Sequence, residues 1–285
     1  MMHNVGKNIA LAVVAALAAG CTEHAGPLPQ EEMLPVDICA SQHTMTRADD
    51  SYVGTMFTAS KRVGVFGYAY DDATWQPSLP PNFFYNQPMT IESSATTSPL
   101  SYSPVAYWPV EGRKVAVYGY YPYSEDATNI VPDVASGMGT FAYTTPLQAS
   151  AQTDFMVSPL LTGLTSDDGT LRLSFYHVLA SIEINVDLGT AYKQINKAEV
   201  LHVYAKGLFL PQVMTDGISA GTDDWRTTAW PAIFLSEPVD MTVSGELSEN
   251  SSLDAGSNNI YKLLVIPQQC VSGQTKIRLT LMDNA

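Results

Sequence analysis

The clearest pattern in the chain is an alternation of side chains with a period of two over residues 171–188. The residues that share one face occupy odd positions first and even positions afterwards: Leu171, Leu173, Phe175, His177 and Leu179, then Ile182, Ile184, Val186 and Leu188. A period of two indicates β-strands, and a change of parity turns every later side chain to the other face. The pattern therefore predicts two strands joined by a bulge or bend near Ala180-Ser181, with a domain boundary soon after, near Asp187–Asn196.

Similar alternation and turn-bounded apolar runs recur along the chain. A short early strand is predicted within residues 34–46, with Val36, Ile38 and Ala40 on one face. Further strands are predicted at Val63–Tyr68, Lys114–Pro122, Ala198–Tyr204, Leu208–Val213, Ala232–Leu235, Met241–Gly245, Tyr261–Ile266 and Thr275–Met282. Six prolines between residues 71 and 104 predict a long surface connection. Because no long amphipathic helix interrupts this series, we expect an all-β fold built of β-sandwiches.

The amino-terminal residues have the pattern of an export signal. Lys7 precedes an apolar run, Ile9–Ala19, that is too short to cross a bilayer. The run ends in small residues directly before Cys21, which resembles the lipobox of bacterial lipoproteins. That resemblance implies cleavage before Cys21 and acyl chains, palmitate among them, on its thiol, which would hold the mature chain to a membrane. The alternative is ordinary secretion with an incidental cysteine.

Composition narrows the classes of function. The 285 residues are 46% hydrophobic and 15% charged, and 14 Lys and Arg against 28 Asp and Glu give a net charge of −14. Nucleic-acid binding needs a basic surface, so we expect no nucleic-acid partner. The 15 Tyr, 9 Phe and 4 Trp argue against a disordered chain.

Candidate catalytic residues are few. His177 lies on the apolar face of its predicted strand, where it is either a general base or a neutral core histidine bonded to the backbone, and we favour the core histidine. Asp167-Asp168-Gly169 and Asp223-Asp224 resemble calcium ligands only loosely, and such pairs are typical of turns. The sequence has no nucleophile elbow and no phosphate-binding loop. We expect no catalytic residue, no metal and no cofactor.

Two cysteines, Cys39 and Cys270, follow the proposed lipidation site. An exported protein meets an oxidising compartment, so a disulfide between them is one possibility. Two separate thiols, or a partner in another chain, are the alternatives. The sequence has no Cys-x-x-Cys and no metal-ligand spacing.

Aromatic residues are dense around the proline-rich connection: Tyr68, Tyr70, Trp75, Phe83, Phe84 and Tyr85. Exposed rings stack on sugars or anchor a protein partner, which makes a surface glycan-binding lipoprotein the alternative function. We favour the interpretation that these rings cover the end of a sandwich as part of its core.

Several of these features occur in a set order: the lipobox, the short strand, Thr46-Arg47, Val63–Tyr68, Tyr107-Trp108-Pro109, Gln152–Met156 and Leu173–Ile184. Their order and spacing resemble the fimbrillin family of Bacteroidales, the subunits of type V pili, best over residues 21–190. The resemblance implies two tandem transthyretin-like Greek-key β-sandwich domains, which we place at residues 48–190 and 191–285. Residues 1–20 would be the signal peptide, and residues 21–47 a lipidated tether with a removable strand.

The resemblance also implies a mechanism of assembly. An arginine-specific protease would cut the Arg47–Ala48 bond and release the strand that carries Val36, Ile38 and Ala40. A strand from another subunit would then fill the groove, by β-augmentation. We therefore expect a non-enzymatic pilus subunit or adhesin of the outer membrane and fimbrium. Its partners would be other pilus subunits, the processing protease, the membrane through Cys21, and an adhesion target on a host or bacterial surface; a secreted hydrolase is the remaining alternative.

The identity of the donated strand has three possible answers. The last predicted strand, Thr275–Met282, is followed here by Asp283-Asn284-Ala285. Either that strand is itself donated, or the subunit sits at one end of the pilus, or the chain is shortened relative to its relatives.

Overall fold

The computed structural model describes residues 33–42, 57–71, 74–110, 112–186, 192–214, 228–230, 232–233, 239–242, 259–270 and 272–283. Chain contacts separate Met1–Met33 from Leu34–Ala285, and every element below belongs to the second unit. Strands make up nearly all of its regular structure. The described helical residues lie in two 3₁₀ turns, Ala149–Ala151 and Ser166–Asp168, in a short α-helical turn at residues 211–214, and at residue 228. Within these ranges no helix is long and apolar enough to cross a bilayer. The predicted all-β class is confirmed, while the transthyretin-like Greek-key arrangement stays a prediction.

The largest sheet has eight strands, and seven of them close into a ring. In sheet order they are β2 (Arg62–Asp71), β3 (Phe84–Ile91), β4 (Thr97–Ser101), β1 (Ile38–Gln42), β10 (Leu171–His177), β8 (Met156–Val157), β5 (Arg113–Tyr121) and β9 (Leu161–Leu164). β5 also pairs with β2, which closes the ring and leaves β9 attached to β5 outside it. Every pairing in this sheet is antiparallel except that of β1 with β10. β1 is therefore a member of a closed structure and not an added edge.

The remaining strands form three smaller sheets. Four strands form one of them: β14 (Ala232–Ile233), β13 (Lys206–Phe209), β7 (Thr140–Thr144) and β6 (Ile130–Asp133). The second is a three-stranded sheet with the order β15 (Val239–Thr242), β12 (Tyr192–Val203) and β17 (Lys276–Asp283). The third pairs β11 (Ala180–Val186) with β16 (Asn259–Val265). The predicted strands of the second half are thus present, with shifted ends. The pairing of β7 with β13 joins residues from the two sides of the predicted domain boundary, and that boundary stays a prediction.

The core consists of three clusters of buried side chains. One is largely aromatic and contains Tyr118, Phe141, Phe155 and Trp230. A second lies inside the ring and includes residues of β1, and a third lies between β12 and the pair β11 and β16. The change from odd to even apolar positions near Ala180-Ser181 falls between two strands, as predicted, and these strands, β10 and β11, belong to different sheets.

The predicted long connection between residues 71 and 104 is wrong, because β3 and β4 lie within it. Pro88 is part of β3 and lies opposite Gly64 of β2. On its other side, β3 pairs with β4 only through Thr90 and Ile91. The missing N–H of Pro88 therefore costs no hydrogen bond between β3 and β4. Pro99 of β4 contributes its carbonyl, which accepts a hydrogen bond from the Glu92 N–H at 3.1 Å. Prolines exclude a strand only where the ladder needs their N–H.

Candidate strand-exchange site

β1 lies between two strands that bind it from opposite sides. It runs parallel to β10, with Ile38 opposite Leu171 and Gln42 opposite Phe175. It runs antiparallel to β4, with Ile38 opposite Leu100. We call the place that β1 fills, between β4 and β10, the acceptor trench. Without β1, both neighbours would present rows of unpaired backbone groups to each other across the trench.

The residues before β1 are also held by backbone hydrogen bonds. The Val36 N–H donates to the Ala106 carbonyl at 3.0 Å, and the Trp108 N–H donates to the Leu34 carbonyl at 2.9 Å. The Tyr102 hydroxyl donates to the Val36 carbonyl at 2.7 Å. The predicted early strand therefore has an ordered lead segment, Leu34–Asp37, that the sequence alone did not distinguish.

One face of this strand is part of the core. Val36 and Ile38 are each 2% exposed and Ala40 is fully buried, and all three belong to the cluster inside the ring. Burial of Val36 and Ile38 contributes roughly 1.5–3 kcal/mol each. The side chains predicted to share a face do so, and Asp37 between them is exposed. Their role as a removable plug stays a proposal.

The cysteines are separate free thiols in this structure. Cys39 of β1 is buried, and burial raises the pKa of its thiol, partly offset by the nearby Arg172 guanidinium. Cys270 is exposed. The disulfide between Cys39 and Cys270 that the sequence left possible is not formed in this structure.

The predicted processing residues lie outside the described part of the chain. The structure does not describe Cys21, Arg47 or Ala48, so lipidation at Cys21 and cleavage after Arg47 stay predictions. The chain is described up to Gln42 and again from Phe57. Any cut at Arg47 would thus fall between two anchored points.

Phe57 is the second of those anchors, and the sequence analysis did not single it out. It is 2% exposed and belongs to the same core cluster as β1. Its ring makes edge-to-face contacts with Phe175 at 5.4 Å and with Tyr121 at 5.5 Å between centroids. The chain after the predicted cleavage site is therefore anchored by Phe57 in the core inside the ring.

His177 is bonded to a carboxylate, which the sequence analysis did not predict. Its Nδ1 contacts Asp154 Oδ2, and both side chains are mostly buried at the end of β10. Asp154 precedes β8, and only the pairing of β8 with β10 brings the two residues together. Such a pair orients an imidazole, but it supplies neither a nucleophile nor a metal site. Among the described residues no group of three His, Cys, Asp or Glu could hold a metal ion.

The acidic pair before Gly169 belongs to a turn, as predicted. Asp168 accepts a hydrogen bond from the Thr165 N–H at 2.7 Å and caps a 3₁₀ turn, and Gly169 follows with φ of 65°. Positive φ favours glycine at this position. Asp223 and Asp224 lie outside the described residues.

The aromatic cluster is mostly core, as we favoured. Tyr68 is fully buried, Tyr70 and Phe84 are 8% and 3% exposed, and Trp75 packs edge-on against Tyr68. Tyr85 alone of these residues is largely exposed, at 70%. A single exposed ring offers little surface for stacking on a sugar.

These features define an all-β protein whose first described strand completes a ring of strands and precedes a predicted cleavage site. The sequence profile of the fimbrillin-like family matches residues 46–285, and the chain belongs to that family. It is 22% identical over 253 residues to the fimbrium subunit Fim1C of Phocaeicola vulgatus, covering 80% of this chain and 62% of that protein. The chain thus spans less than two thirds of that relative's length.

Two solved structures show a similar fold. A fimbrial protein from Bacteroides vulgatus superimposes with a TM-score of 0.55 at 17% identity, over 87% of this chain and 90% of that one. A candidate cell adhesion protein from Bacteroides uniformis gives a TM-score of 0.56 at 13% identity, over 90% of this chain and 81% of that one. At these identities the similarity concerns the fold.

Proposed function

We propose that the protein is a structural subunit of a type V pilus, exported as a lipoprotein and assembled by donor-strand exchange on the cell surface. Membership of the fimbrillin-like family supports the fimbrial role. The observation that carries the mechanism is the position of β1, which is paired on both sides and buried along one face. The proposed division into sandwiches at residues 48–190 and 191–285 belongs to the same hypothesis.

The covalent link through residues 43–56 explains why the precursor would stay closed. While β1 is covalently linked to Phe57, its effective concentration at the acceptor trench is far higher than that of a strand on a separate subunit, and a second subunit cannot compete. A cut at Arg47–Ala48 would convert β1 into a separate peptide held only by noncovalent contacts. A strand of another subunit, linked to a folded domain, could then replace it.

β17 is the described strand whose side chains best suit it for donation. Its residues Ile277 and Leu279 are 54% and 36% exposed, although their partners on β12, Val200 and Ala198, are buried. Exposed apolar side chains two residues apart are what an acceptor trench would bury. This supports the possibility that the last predicted strand, Thr275–Met282, is itself the donor.

Proteolysis of defined variants tests the proposal. A Cys21→Ser precursor, which carries no lipid, should be monomeric by size-exclusion chromatography and should form a ladder of oligomers after treatment with an arginine-specific protease. Arg47→Ala should remain uncut and monomeric. Arg47→Lys is the matched control, because it should resist the arginine-specific enzyme and polymerise after a lysine-specific one. Polymer formation by the Arg47→Ala variant, or monomers after complete cutting at Arg47, would contradict the proposal.

A further inference from the structure

The lead segment Leu34–Asp37 binds a part of the chain that is not a continuation of β4. Ile38 pairs with Leu100, so an unbroken ladder would place Pro35 opposite Ser103. Pro35 instead forms an antiparallel bridge with Tyr107, so four residues bulge out between the two pairings. We call residues 105–108, which bind the lead segment, the docking segment.

The docking segment has the alternation of a strand. Ala106 and Trp108 are half-buried and pack against the core cluster inside the ring. Val105 and Tyr107 point away from it and are 50% and 44% exposed. Within the docking segment, the Ala106 carbonyl and the Trp108 N–H bind the lead segment, so the inward-facing residues also provide the backbone contacts.

We propose that the docking segment is a second part of the acceptor site, which selects incoming strands of another subunit by their length. This inference rests on the proposed strand exchange and states what that exchange requires of its partner. A strand that filled only the positions Ile38–Gln42 would leave the Ala106 carbonyl and the Trp108 N–H without their partners in a half-buried place, which is unfavourable. A donor segment that also covers the positions of Leu34–Asp37 satisfies both groups, and residues 275–283, which contain β17, are long enough to do so.

The present occupant specifies the chemistry of the incoming strand. Apolar side chains are expected at the positions of Val36, Ile38 and Ala40, because these are the buried positions. Proline is tolerated at the position of Pro35, whose bridge to Tyr107 is formed by the hydrogen bonds of its neighbours. The position of Asp37 is exposed but contributes its carbonyl, which accepts from the Leu171 N–H at 2.8 Å.

Synthetic peptides with and without the lead segment test whether the docking segment contributes to binding. The Cys21→Ser protein, cut with the arginine-specific protease, is mixed with fluorescently labelled peptides of residues 34–46 or 38–46, and binding is measured in competition with the retained plug. The longer peptide should bind about tenfold more tightly or better. A third peptide, residues 34–46 with an N-methyl group on Val36, cannot donate to Ala106 and should bind severalfold more weakly than the unmodified peptide.

A substitution in the docking segment tests the same contacts from the side of the protein, with the same peptides as probes. Trp108→Pro, which removes the N–H that donates to Leu34, should weaken binding of the 34–46 peptide and leave the 38–46 peptide unaffected. The control Val131→Ala, on an exposed residue of β6, should change neither. Equal affinity of the long and short peptides, or no effect of N-methylation, would overturn the role of the docking segment while leaving strand exchange intact. Failure of both peptides to bind would overturn strand exchange together with it.

Discussion

Glu199 is a buried carboxylate held by two cations. It is 4% exposed in β12, and its two oxygens contact Lys197 Nζ at 2.6 Å and Arg278 Nε at 2.7 Å. The hydrogen bonds from Arg278 and then Lys197 outweigh the cost of burial and lower the pKa of Glu199 to about 2. Arg278 lies directly opposite Glu199 on β17, so this ion pair joins the last described strand to the middle of its sheet.

The pKa of Glu199 predicts how stability depends on pH. Because the folded-state pKa lies below the ordinary value of 4.5, the contribution is present above about pH 4.5 and is lost as the pH falls towards 2. Glu199→Gln should lower the free energy of unfolding by about 2 kcal/mol near pH 7, allowing for the half-exposed cations. Urea unfolding at several pH values measures this, and the difference from the unaltered protein should vanish near pH 2. A constant difference at every pH would contradict the assignment.

At the scale of the element, β1 combines a buried face with two hydrogen-bonded edges. Together with the lead segment it contributes few large side chains to the core inside the ring, since Ala40 is small and only Val36 and Ile38 are large. A strand with this composition is stable while it is tethered, yet its release costs only a few large buried side chains. That balance agrees with the proposed role of β1 as a strand that is exchanged after cleavage.

Shortening Ile38 should weaken this element selectively. Ile38→Ala is expected to lower the free energy of unfolding of the precursor by about 2–5 kcal/mol, because it leaves a cavity between β4 and β10. After cleavage at Arg47, the same variant should exchange its plug faster than the unaltered protein. Val131→Ala, at a 56% exposed position, is the control and should change neither property. Thermal unfolding and peptide exchange are the measurements, and unchanged exchange would count against the role of β1.

At the scale of the whole molecule, closure of the seven strands into a ring determines which strand edges are free. A closed ring has no free edge, so its seven strands are protected from edge-to-edge association. Removal of one strand creates two edges at once, facing each other about 10 Å apart, which is the space of one strand. In the proposed exchange, the opened ring would have room for a single incoming strand.

Thiol labelling should report when the ring opens. In a Cys21→Ser/Cys270→Ser precursor, Cys39 should react with a maleimide about 100-fold more slowly than in the unfolded chain, because it is buried and its pKa is raised. After cleavage and addition of excess 34–46 peptide with Cys39→Ala, the displaced plug should react rapidly. Exposed Cys270, tested in a Cys21→Ser/Cys39→Ser chain, should react fast in both states. Fast labelling of Cys39 in the intact precursor would show that β1 is not held.

The amino-acid sequence by itself determined the all-β class, most strand positions, the change of sheet near Ala180-Ser181 and the inward face of Val36, Ile38 and Ala40. These follow from local alternation, which needs no knowledge of partners. Only the tertiary structure decided what β1 pairs with, that β3 and β4 occupy the proline-rich stretch, and that residues 105–108, Phe57 and Asp154 complete distant contacts. Those outcomes depend on which strands meet across long separations of sequence, and a periodic pattern specifies a strand's faces but not its neighbours.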